Sequence, residues 1–551
     1  MKIASAWSGH DCSFCVLDDG IPIIHAEYER YIREKEPAGD GVQFMYDEYA
    51  DHLDDLAYFV QVVPEKKLLN HNESYNRIKT HMANTNGEIF TVGHHQAHAA
   101  NTFFSSNFDE ATIITLDGGG VDRYQTPSGH EQDIETAATV WVGKGNKVKP
   151  LQIIPLHQFN VGGLWTRVTR YIFELQSGWP RGHQAGTVMA MAAMGDSTKY
   201  VDDFVKMLTM DLQRASFKPP EQPKGAYIPG KDPVHPYLNK WKLLAKKSEQ
   251  EGFDIAAGLQ AASERLIFDL VHNAVKHTGV QKLCFAGGVS LNSVAMGKLR
   301  AMDWVDDLFV TPVPHDGGLT VGACQYVWHQ ILDNPRVKWN DNASPYLGAL
   351  YTENDITSVI KDRENEIVSF TCDVHEIIDY LSKGQIVSVF AGGSESGRRA
   401  LGNRSILADP RNPNMKDIIN ERVKHRQWYR PFAPSILRSE VGDWFTLDAD
   451  SPYMNLVLHF KDEVKDRVPA VVHLDGTARL QTVTENDNSW YHDFLVKWFT
   501  HTGVPIILNT SFNDREPVVE TPAHALDCFL RTDIDHLYFV DVNIMISKKK
   551  E

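Results

Sequence analysis

Three apolar segments with the composition of β-strands each lead into a glycine-rich turn, and this repeated pattern constrains the fold most strongly. The segments with their turns are ATIITL-DGGG (111–120), KLCFA-GG (282–288) and DLFVTPV-PHDGG (307–318). In open α/β sheets, ligands lie beyond the carboxyl ends of the strands, where such polar turns occur. The pattern therefore predicts an α/β fold with functional residues at these three turns.

The chain is long enough for more than one domain, and its pattern of strands and helices restarts in the second half. The 551 residues are enough for about two to four domains of roughly 150 residues each. The polar segment 334–346, which contains two prolines, is predicted to link an N-terminal domain (1–345) to a C-terminal domain (346–551). Further predicted elements are strands at 2–7, 13–17, 22–27, 386–391, 470–474 and 505–508, helices at 254–277, 319–331 and 373–382, and an irregular surface excursion at 219–236.

The charge balance and the distribution of apolar residues argue against two classes of partner. The chain has 55 Lys and Arg against 72 Asp and Glu, a net charge of −17, whereas broad binding of a nucleic-acid backbone needs a basic surface. No apolar run of about 18 residues occurs, so we expect no membrane span. The N-terminal residues do not have the pattern of a signal peptide, and six cysteines are too few for a disulfide framework, so we expect a cytoplasmic protein.

The HHQAH segment is the first candidate site, because His94 and His98 are four residues apart. On a helix this spacing puts both imidazoles on one face, as two ligands of one ion require. Asp117 and Asp316, in the glycine-rich turns described above, add two carboxylates. Two imidazoles and two carboxylates suit a divalent transition metal such as Fe²⁺ or Mn²⁺ with open coordination positions. The alternative is an ordinary polar role at the ends of a helix and two strands.

Two more motifs of the first half each have a functional and a structural interpretation. His10-Asp11 follows the first strand, where a histidine is either a general base with a pKa near neutrality or part of a capped turn. The glycines of the first two turns allow phosphate to approach main-chain N–H groups, although neither turn has the P-loop or the dinucleotide fingerprint. A nucleotide held between the two turns and a pair of plain tight turns both remain open.

Basic residues concentrate in one segment of this acidic chain. Cations at this density repel one another unless an anion lies among them, and arginine forks and lysine ammonium groups bind phosphoryl oxygens. The later segment NTSFN (509–513) adds amide and hydroxyl donors. We interpret the cluster as a pocket for a phosphate-rich nucleotide, with a salt-bridged surface as the alternative. Its basic residues are Arg398, Arg399, Arg404, Arg411, Lys416, Arg422, Lys424, Arg426 and Arg430.

Taken together, these motifs resemble the O-carbamoyltransferase family, which includes enzymes of antibiotic maturation and of nodulation-factor decoration. The ordered series covers nearly the whole chain: HD-x-S, E-x-E-R (27–30), HHQAHA, LDGGG, AGGVSLN, the DGG turn, SPYLG, RALGNRSILADPR, VKHR, RPFAPSIL, HLDGTARLQTV and LNTSFN. The resemblance implies that 1–345 is a two-lobed actin-like (ASKHA) domain, as in the tRNA threonylcarbamoyladenosine transferases. It implies that 346–551 is an α+β YrdC-like domain, similar to threonylcarbamoyl-AMP synthase.

The resemblance also implies a reaction in two steps. The C-terminal domain would join carbamoyl phosphate and ATP, the latter with Mg²⁺, into carbamoyl adenylate. The N-terminal domain would then transfer the carbamoyl group to an acceptor hydroxyl beside its metal.

Individual residues take their implied roles from the same resemblance. His94, His98, Asp117 and Asp316 correspond to the family's metal ligands, and His10 to the histidine that takes the acceptor's proton. Arg399, Lys424 and Arg430 are implied as catalytic residues of the first step. The implied contacts to ATP and carbamoyl phosphate are Arg399, Arg404, Lys424, Arg430, Arg479, Asn509 and Ser511. The implied contacts to the adenylate in the N-terminal domain are Gly118, Gly119, Gly287, Gly288 and Asn292.

One departure from the family pattern affects the cation cluster, and the acceptor site has no motif. Arg398 stands where the family commonly has proline before Arg-Ala-Leu-Gly, which adds a cation. Acceptor contacts are predicted from loops of the N-terminal domain at 28–43 or 179–184.

No motif identifies the acceptor, and two other functions compete with carbamoyl transfer. A hydroxyl of a sugar or natural product is expected, with a hydroxymethylated nucleobase, free or in DNA, as the alternative, since a flipped base needs only a local pocket. A threonylcarbamoyl-type tRNA-modifying enzyme would need a basic surface, which the charge of −17 disfavours. A non-catalytic nucleotide sensor would have lost metal and cation residues, all of which are present. We expect no membrane partner and allow a homodimer.

Overall fold

The structure, a computed structural model, describes residues 1–37, 41–62, 74–125, 131–156, 158–175, 184–207, 236–337 and 344–549. Its strands are β1 (Lys2–Trp7), β2 (Ser13–Asp18), β3 (Ile21–Glu27), β4 (Leu56–Val62), β5 (Glu88–Val92), β6 (Glu110–Gln125), β7 (Glu131–Lys144), β8 (Lys147–Pro155), β9 (Lys282–Ala286), β10 (Asp307–Val310), β11 (Ile367–Thr371), β12 (Val387–Phe390), β13 (Arg404–Ala408), β14 (Ala433–Leu437), β15 (Leu456–His459), β16 (Thr477–Val483), β17 (Ile506–Ser511), β18 (His536–Phe539) and β19 (Ile544–Lys548).

The α-helices alternate with these strands, so the predicted α/β class is confirmed. They are α1 (Glu29–Ile32), α2 (Gly41–Glu48), α3 (Ser74–Thr85), α4 (His94–Ser105), α5 (Val161–Arg167), α6 (Ala185–Ala192), α7 (Val201–Met207), α8 (Pro236–Lys247), α9 (Glu249–Thr278), α10 (Ser293–Arg300), α11 (Leu319–Gln325), α12 (Glu353–Asp362), α13 (Val374–Ser382), α14 (Met415–Arg422), α15 (Val441–Trp444), α16 (Ser489–Thr502) and α17 (Pro522–Arg531). Among the described residues, no helix is both long and apolar enough to span a bilayer.

The chain forms two compact units that are not continuous in sequence. Unit 1 consists of Met1–Tyr28, Glu36–Ala295 and Leu299–Ala343. Unit 2 consists of Glu29–Lys35, Met296–Lys298 and Ser344–Glu551. Seven residues from near the N-terminus are therefore part of the second unit. This segment lies within the 28–43 loop from which we predicted acceptor contacts in the N-terminal domain.

Unit 1 contains two five-stranded sheets with the same topology. The first has the order β3-β2-β1-β4-β5, and the second has the order β8-β7-β6-β9-β10. In each sheet, the three strands that come first in sequence pair antiparallel, as a meander. The fourth strand then pairs parallel with the first of these three, and the fifth pairs parallel with the fourth. This duplication agrees with the two similar lobes of the actin-like fold that the sequence resemblance implies.

Helices α4 and α11 pack tightly against each other within unit 1. Phe103 of α4 lies in the core of the second sheet with Ile113, and Leu319 of α11 lies in the core of the first sheet. Gly322 permits the contact between the helices, because a Cβ atom there would lie 1.9 Å from the carbonyl oxygen of Ala97. The first two turns of α4, which carry the HHQAH histidines, are therefore fixed against α11.

Three strand boundaries differ from those predicted, and prolines or glycines account for them. β6 does not end at Leu116: its pairing with β7 breaks there and resumes at Gly120, so the residues between form a bulge. β10 ends at Val310 because Pro312 has no N–H to donate to a ladder. The strand predicted at 470–474 is wrong, since a 3-10 turn that begins with a proline occupies Pro469–Val471. Most of the predicted excursion (219–236) and of the acceptor loop (179–184) lies outside the described residues.

Unit 2 is built on one nine-stranded mixed sheet. The strand order is β11-β19-β18-β12-β13-β17-β14-β16-β15. Trp498 and Phe494 of α16 share a core with Leu381 of α13 and Val389 of β12, so both helices bury an apolar side in this unit. The polar loop 391–403 connects β12 to β13 and contains the RRALGN sequence.

The contact between α4 and α11 yields a test of stability. We expect Gly322→Ala to lower the free energy of unfolding by about 1–3 kcal/mol, because the added methyl group meets a backbone oxygen that cannot rotate away. Gly186→Ala, in helix α6, is the control: its Cβ would meet nothing within 4 Å. Thermal unfolding of the two variants measures the difference. Equal midpoints would contradict the proposed crowding.

Candidate active site

The four predicted metal ligands come together in unit 1. His94 and His98 belong to the first two turns of α4, Asp117 to the bulge of β6, and Asp316 to the 3-10 turn Asp316–Gly318 that follows β10. One ligand atom from each residue lies within 4.8 Å of all the others. Residues separated by up to 222 positions thus form one cluster, because the start of α4, the bulge of β6 and the turn after β10 meet at one place.

The distances within this cluster fit a shared ion. The Nε2 atoms of His94 and His98 lie 3.2 and 3.1 Å from Oδ2 of Asp117. Both Nε2 atoms lie 3.5 Å from Oδ1 of Asp316. Ligands at about 2.0–2.2 Å from one metal ion are themselves separated by roughly 3 Å, so the donor atoms need little movement to share an ion. Two nitrogen and two oxygen donors also match the preference of first-row transition metals.

Glycine allows the bulge of β6 to reach the histidines. A Cβ atom at Gly120 would lie 2.2 Å from Cγ of His94, and one at Gly288 would lie 3.1 Å from Oδ1 of Asp117. The main-chain N–H of Gly118 donates to the same carboxylate at 2.6 Å. The glycine-rich turns therefore serve first to bring the carboxylate of Asp117 against the imidazoles.

The protonation of the cluster shows how strongly its charges interact. Burial alone would raise the pKa of Asp117, but hydrogen bonds with His94 and His98 hold that pKa well below its usual range. Burial alone would lower the pKa of His98, but Asp117 and Asp316 raise it to about 9. A proton on His98 thus offsets carboxylate charge in this cluster, and a divalent cation would take the place of that proton.

His10 lies at the edge of this cluster. Its Nε2 is 3.3 Å from Oδ2 of Asp316, and its Nδ1 is 3.1 Å from Oδ2 of Asp11. The charge of Asp316 raises the pKa of His10 to about 10, with a further contribution from the bond to Asp11. The imidazole is 59% exposed, so it is open to a ligand while its ring is oriented by two carboxylates.

Sequence reasoning gave no role to two charged residues near His10. Nε2 of His315 lies 3.6 Å from Oε1 of Glu27 and 3.9 Å from Oδ1 of Asp11. All three side chains are buried. Glu27 opens the E-x-E-R motif and His315 belongs to the PHDGG turn, so both residues lay in motifs that the sequence analysis had singled out. Together with Asp11 they extend the network of titratable side chains around His10.

The predicted adenylate residues of unit 1 adjoin the metal cluster. Gly287 has a positive φ of 95° and lies so close to β6 that a Cβ atom would meet the carbonyl oxygen of Leu116 at 2.2 Å. Its N–H donates to the carbonyl oxygen of Pro314. Asn292 exchanges hydrogen bonds with the buried amide of Gln260. Gly119, with a φ of 141°, lies in the bulge of β6. Contact of these residues with a nucleotide remains a prediction.

Three arginines of unit 2 form a group of cations without acidic partners. Among the described residues, no carboxylate pairs with the guanidinium groups of Arg399, Arg430 or Arg479, and the Nε atoms of Arg399 and Arg479 are buried without a hydrogen-bond partner. Burial lowers the pKa of Arg399, and Arg479 and Arg430 lower it further. Burial and the neighbouring arginines likewise lower the pKa of Arg479 to about 10. We call these three residues the arginine group; a cluster of like charges of this kind attracts anions.

Lys424 is buried beside the end of β17 and binds its main chain. Its ammonium group donates to the carbonyl oxygens of Ser511 and Asn513 and to Oδ1 of Asn513. The hydroxyl of Ser511 donates to the same amide oxygen at 2.8 Å. Burial lowers the pKa of Lys424 well below its usual value. This ammonium group therefore fixes the loop after β17 in its present form.

Arg404 and Asn509 are placed differently from the arginine group. Arg404 is fully buried over the ring of Phe390, and its terminal nitrogens donate to main-chain carbonyl oxygens of Ala391, Gly392, Asn403 and Glu520. The amide of Asn509 donates to the carbonyl oxygen of Ala400. Both side chains hold the loop 391–403 through its main chain. Contact of either residue with ATP remains a prediction.

Comparisons with known proteins identify the family. The family model "Carbamoyltransferase N-terminus" matches residues 65–325, and "Carbamoyltransferase C-terminus" matches residues 378–547. An uncharacterized protein of Synechocystis sp. is 33% identical over 490 residues, which cover 83% of this chain and 75% of that protein. The nodulation protein NolO of Bradyrhizobium diazoefficiens is 34% identical over 460 residues, which cover 81% of this chain and 77% of NolO. The chain therefore belongs to the carbamoyltransferase family, and the protein is a transferase of carbamoyl groups.

A solved structure of full-length HypF, in a phosphate- and nucleotide-bound form, aligns with 60% of this chain and 56% of its own. The identity is 14% and the TM-score 0.34. The family assignment depends on the sequence matches and not on this alignment.

The metal cluster yields a second prediction. We expect His94→Ala to weaken binding of Fe²⁺ or Mn²⁺ by at least about tenfold, because one of four convergent donors is lost. Metal content after dialysis and a calorimetric titration with Mn²⁺ measure the effect. His277→Ala, at an exposed position near the end of α9, is the control and should bind as the parent does. Equal metal content in both variants would refute the assignment of the cluster.

Proposed function

We propose that the protein is an ATP-dependent O-carbamoyltransferase that works in two steps. In the first, carbamoyl phosphate gives up phosphate to water, and an oxygen of the resulting carbamate attacks the α-phosphorus of ATP. Carbamoyl adenylate forms and pyrophosphate leaves. In the second, an acceptor hydroxyl attacks the carbamoyl carbon, AMP leaves with its bonding pair, and the hydroxyl proton passes to a base.

The observation that carries this proposal is the arginine group of unit 2. Half-buried guanidinium groups without carboxylate partners repel one another, and their like charges are stabilised when phosphoryl oxygens lie among them. ATP, with its Mg²⁺, and carbamoyl phosphate are the phosphorylated substrates that the family resemblance implies. Arg399 and Arg430 act as catalytic residues by neutralising charge as pyrophosphate leaves. A YrdC-like fold for residues 346–551 belongs to this proposal.

Some residues near the arginine group would bind the substrates of the first step, and others would hold the loops of the pocket in place. Ser511 offers a hydroxyl at the end of β17, and Arg479 adds charge from β16. Lys424, whose ammonium group holds the loop after β17, keeps that hydroxyl in place and adds positive charge to the pocket. Arg404 and Asn509 contribute by fixing the loop that presents Arg399.

The second step is assigned to unit 1. His94, His98, Asp117 and Asp316 would hold a resident Fe²⁺ or Mn²⁺, which supplies Lewis-acid polarisation of an oxygen of the bound adenylate. The charge of Asp316 keeps His10 protonated, so the imidazole would act as the base only once a cation bound at the four ligands offsets that charge. Nε2 of His10 would then accept the proton of the acceptor hydroxyl, while Asp11 holds Nδ1 of the same ring. The glycine turns at 118–119 and 287–288, with Asn292, bind the adenylate.

A small molecule with a hydroxyl group is the proposed acceptor, such as a sugar or a natural product. The net charge of −17 supports this class over a nucleic-acid backbone, which binds to basic surfaces. A hydroxymethylated nucleotide, free or in DNA, is the second class to test, because a single base needs only a local pocket.

The first step is tested by pyrophosphate release from ATP and carbamoyl phosphate. We expect Arg430→Met to lower the rate by about 100-fold or more, because one of three charge-stabilising groups is lost. Arg422→Met is the control, since Arg422 is an exposed residue paired with Asp533 and should release pyrophosphate at the parent rate. The proposal fails if the parent protein releases no pyrophosphate, or if Arg430→Met is as fast as Arg422→Met.

The second step is tested by mass spectrometry after incubation with panels of hydroxylated acceptors. We expect a carbamoyl mass gain on one acceptor with the parent protein. His10→Gln should abolish that gain while it leaves pyrophosphate release unchanged, because its side chain lies in unit 1 and takes part only in transfer. A His10→Gln protein that transfers at the parent rate would contradict the role of His10 as the base.

A further inference from the structure

The segment Glu29–Lys35 contributes two arginines to unit 2. Arg30 is buried, and its two terminal nitrogens donate to the hydroxyl of Ser394 at 3.0 Å and to the carbonyl oxygen of Gly397 at 2.6 Å. One of these nitrogens also lies 3.6 Å from a carboxylate oxygen of Glu520, which in turn accepts the hydroxyl of Ser394 at 2.7 Å. The guanidinium group of Arg30 thus binds Ser394 and Gly397 in the first half of the loop 391–403.

Arg33 binds a second loop of the same unit. Its terminal nitrogens donate to the carbonyl oxygens of Pro517 and Val518 at 2.6 and 2.7 Å. One nitrogen also lies 3.0 Å from Oε1 of Glu516. The main-chain oxygen of Glu516 accepts from the amide of Asn513 at 2.8 Å, which is the residue that Lys424 holds.

The first of these two loops carries Arg399, and the second directly follows Ser511 at the end of β17. Gly397, with a φ of 87°, lies two residues before Arg399 of the arginine group. The far side of that loop is held by Glu395, whose Oε1 accepts the main-chain N–H groups of Leu401, Asn403 and Arg404. Arg30 holds the near side. The main chain that carries Arg399 is therefore held on both sides of that residue.

We propose that Arg30 and Arg33 are positioning residues for carbamoyl-adenylate formation, and that unit 2 is complete as an anion site only with the segment 29–35. This inference rests on the proposed function. Each arginine uses a planar fork to bind two acceptors of a loop, a geometry that the single ammonium group of lysine does not reproduce. A displacement of about 1 Å in a reacting group costs up to roughly 100-fold in rate, so loss of the fork acts on turnover more than on folding.

The test uses the full-length protein and variants that keep the positive charge. We expect Arg30→Lys to lower kcat for pyrophosphate release by at least about tenfold, with metal content and thermal midpoint close to those of the parent. Arg33→Lys should act in the same direction. Arg363→Lys is the matched control, because Arg363 is a half-exposed arginine of unit 2 that pairs with Glu366 and Asp527 and holds neither loop.

A second measurement separates positioning from a general loss of folding. Guanidinium ion at millimolar concentration should restore part of the kcat of Arg30→Ala, because it can occupy the site of the missing side chain. Turnover of Arg30→Lys within twofold of the parent would overturn the inference. The inference would also be overturned if turnover fell only in proportion to a lower thermal midpoint and guanidinium did not restore it.

The result for Arg399→Met distinguishes this inference from the proposed function. If Arg399→Met loses pyrophosphate release and Arg30→Lys does not, the inference is wrong and the proposed function stands. If neither variant differs from the parent, or the parent releases no pyrophosphate, the proposed function itself is wrong. Loss in both variants, with Arg363→Lys unaffected, supports both.

Discussion

The close contact of helices α4 and α11 is the constraint on which the site of unit 1 depends. It needs a glycine at position 322, because any side chain there would meet the backbone of α4. This contact fixes the first turn of α4 beside the turn that carries Asp316, and the bulge of β6 brings Asp117 to the same point. The four predicted metal ligands are thus placed by packing between main-chain segments, and the charges of His98 and Asp117 then stabilise each other.

The candidate site of unit 2 differs electrostatically from that of unit 1, because it concentrates positive charge without acidic partners among the described residues. Arg399, Arg430 and Arg479 destabilise one another, and the loops that carry them are rich in polar main chain. Buried polar groups hold those loops in shape: Glu395 binds N–H groups, while Arg404 binds carbonyl oxygens. Buried main-chain groups that are satisfied in this way make a loop rigid, and rigidity keeps like charges together in the absence of an anion.

The sequence predicted those parts of the site that depend on local patterns. The spacing of His94 and His98 and the turns after apolar segments were sufficient to group the four predicted metal ligands, because helix periodicity and sheet edges are local rules. The continuation of β6 beyond Asp117 was missed, since a bulge looks like a strand end in sequence. The main-chain contacts of Arg404 were missed as well, because composition cannot tell a cation that binds carbonyl oxygens from one that awaits a phosphate. The sequence could not show that Arg30 belongs to unit 2, because its contacts are hundreds of residues away and follow no periodic pattern.

The place of residues 29–35 in unit 2 has a consequence for how the chain is made. Ser394 and Gly397 follow Arg30 by 364 and 367 residues, and Val518 follows Arg33 by 485. A ribosome that adds roughly 5–20 residues per second needs about 25–100 s to make those 485 residues. The first sheet of unit 1 has all its strands within the first 92 residues and can pair early in that interval. The segment between β3 and α2 must then wait for nearly the whole chain, so its docking comes among the last events of folding on the ribosome.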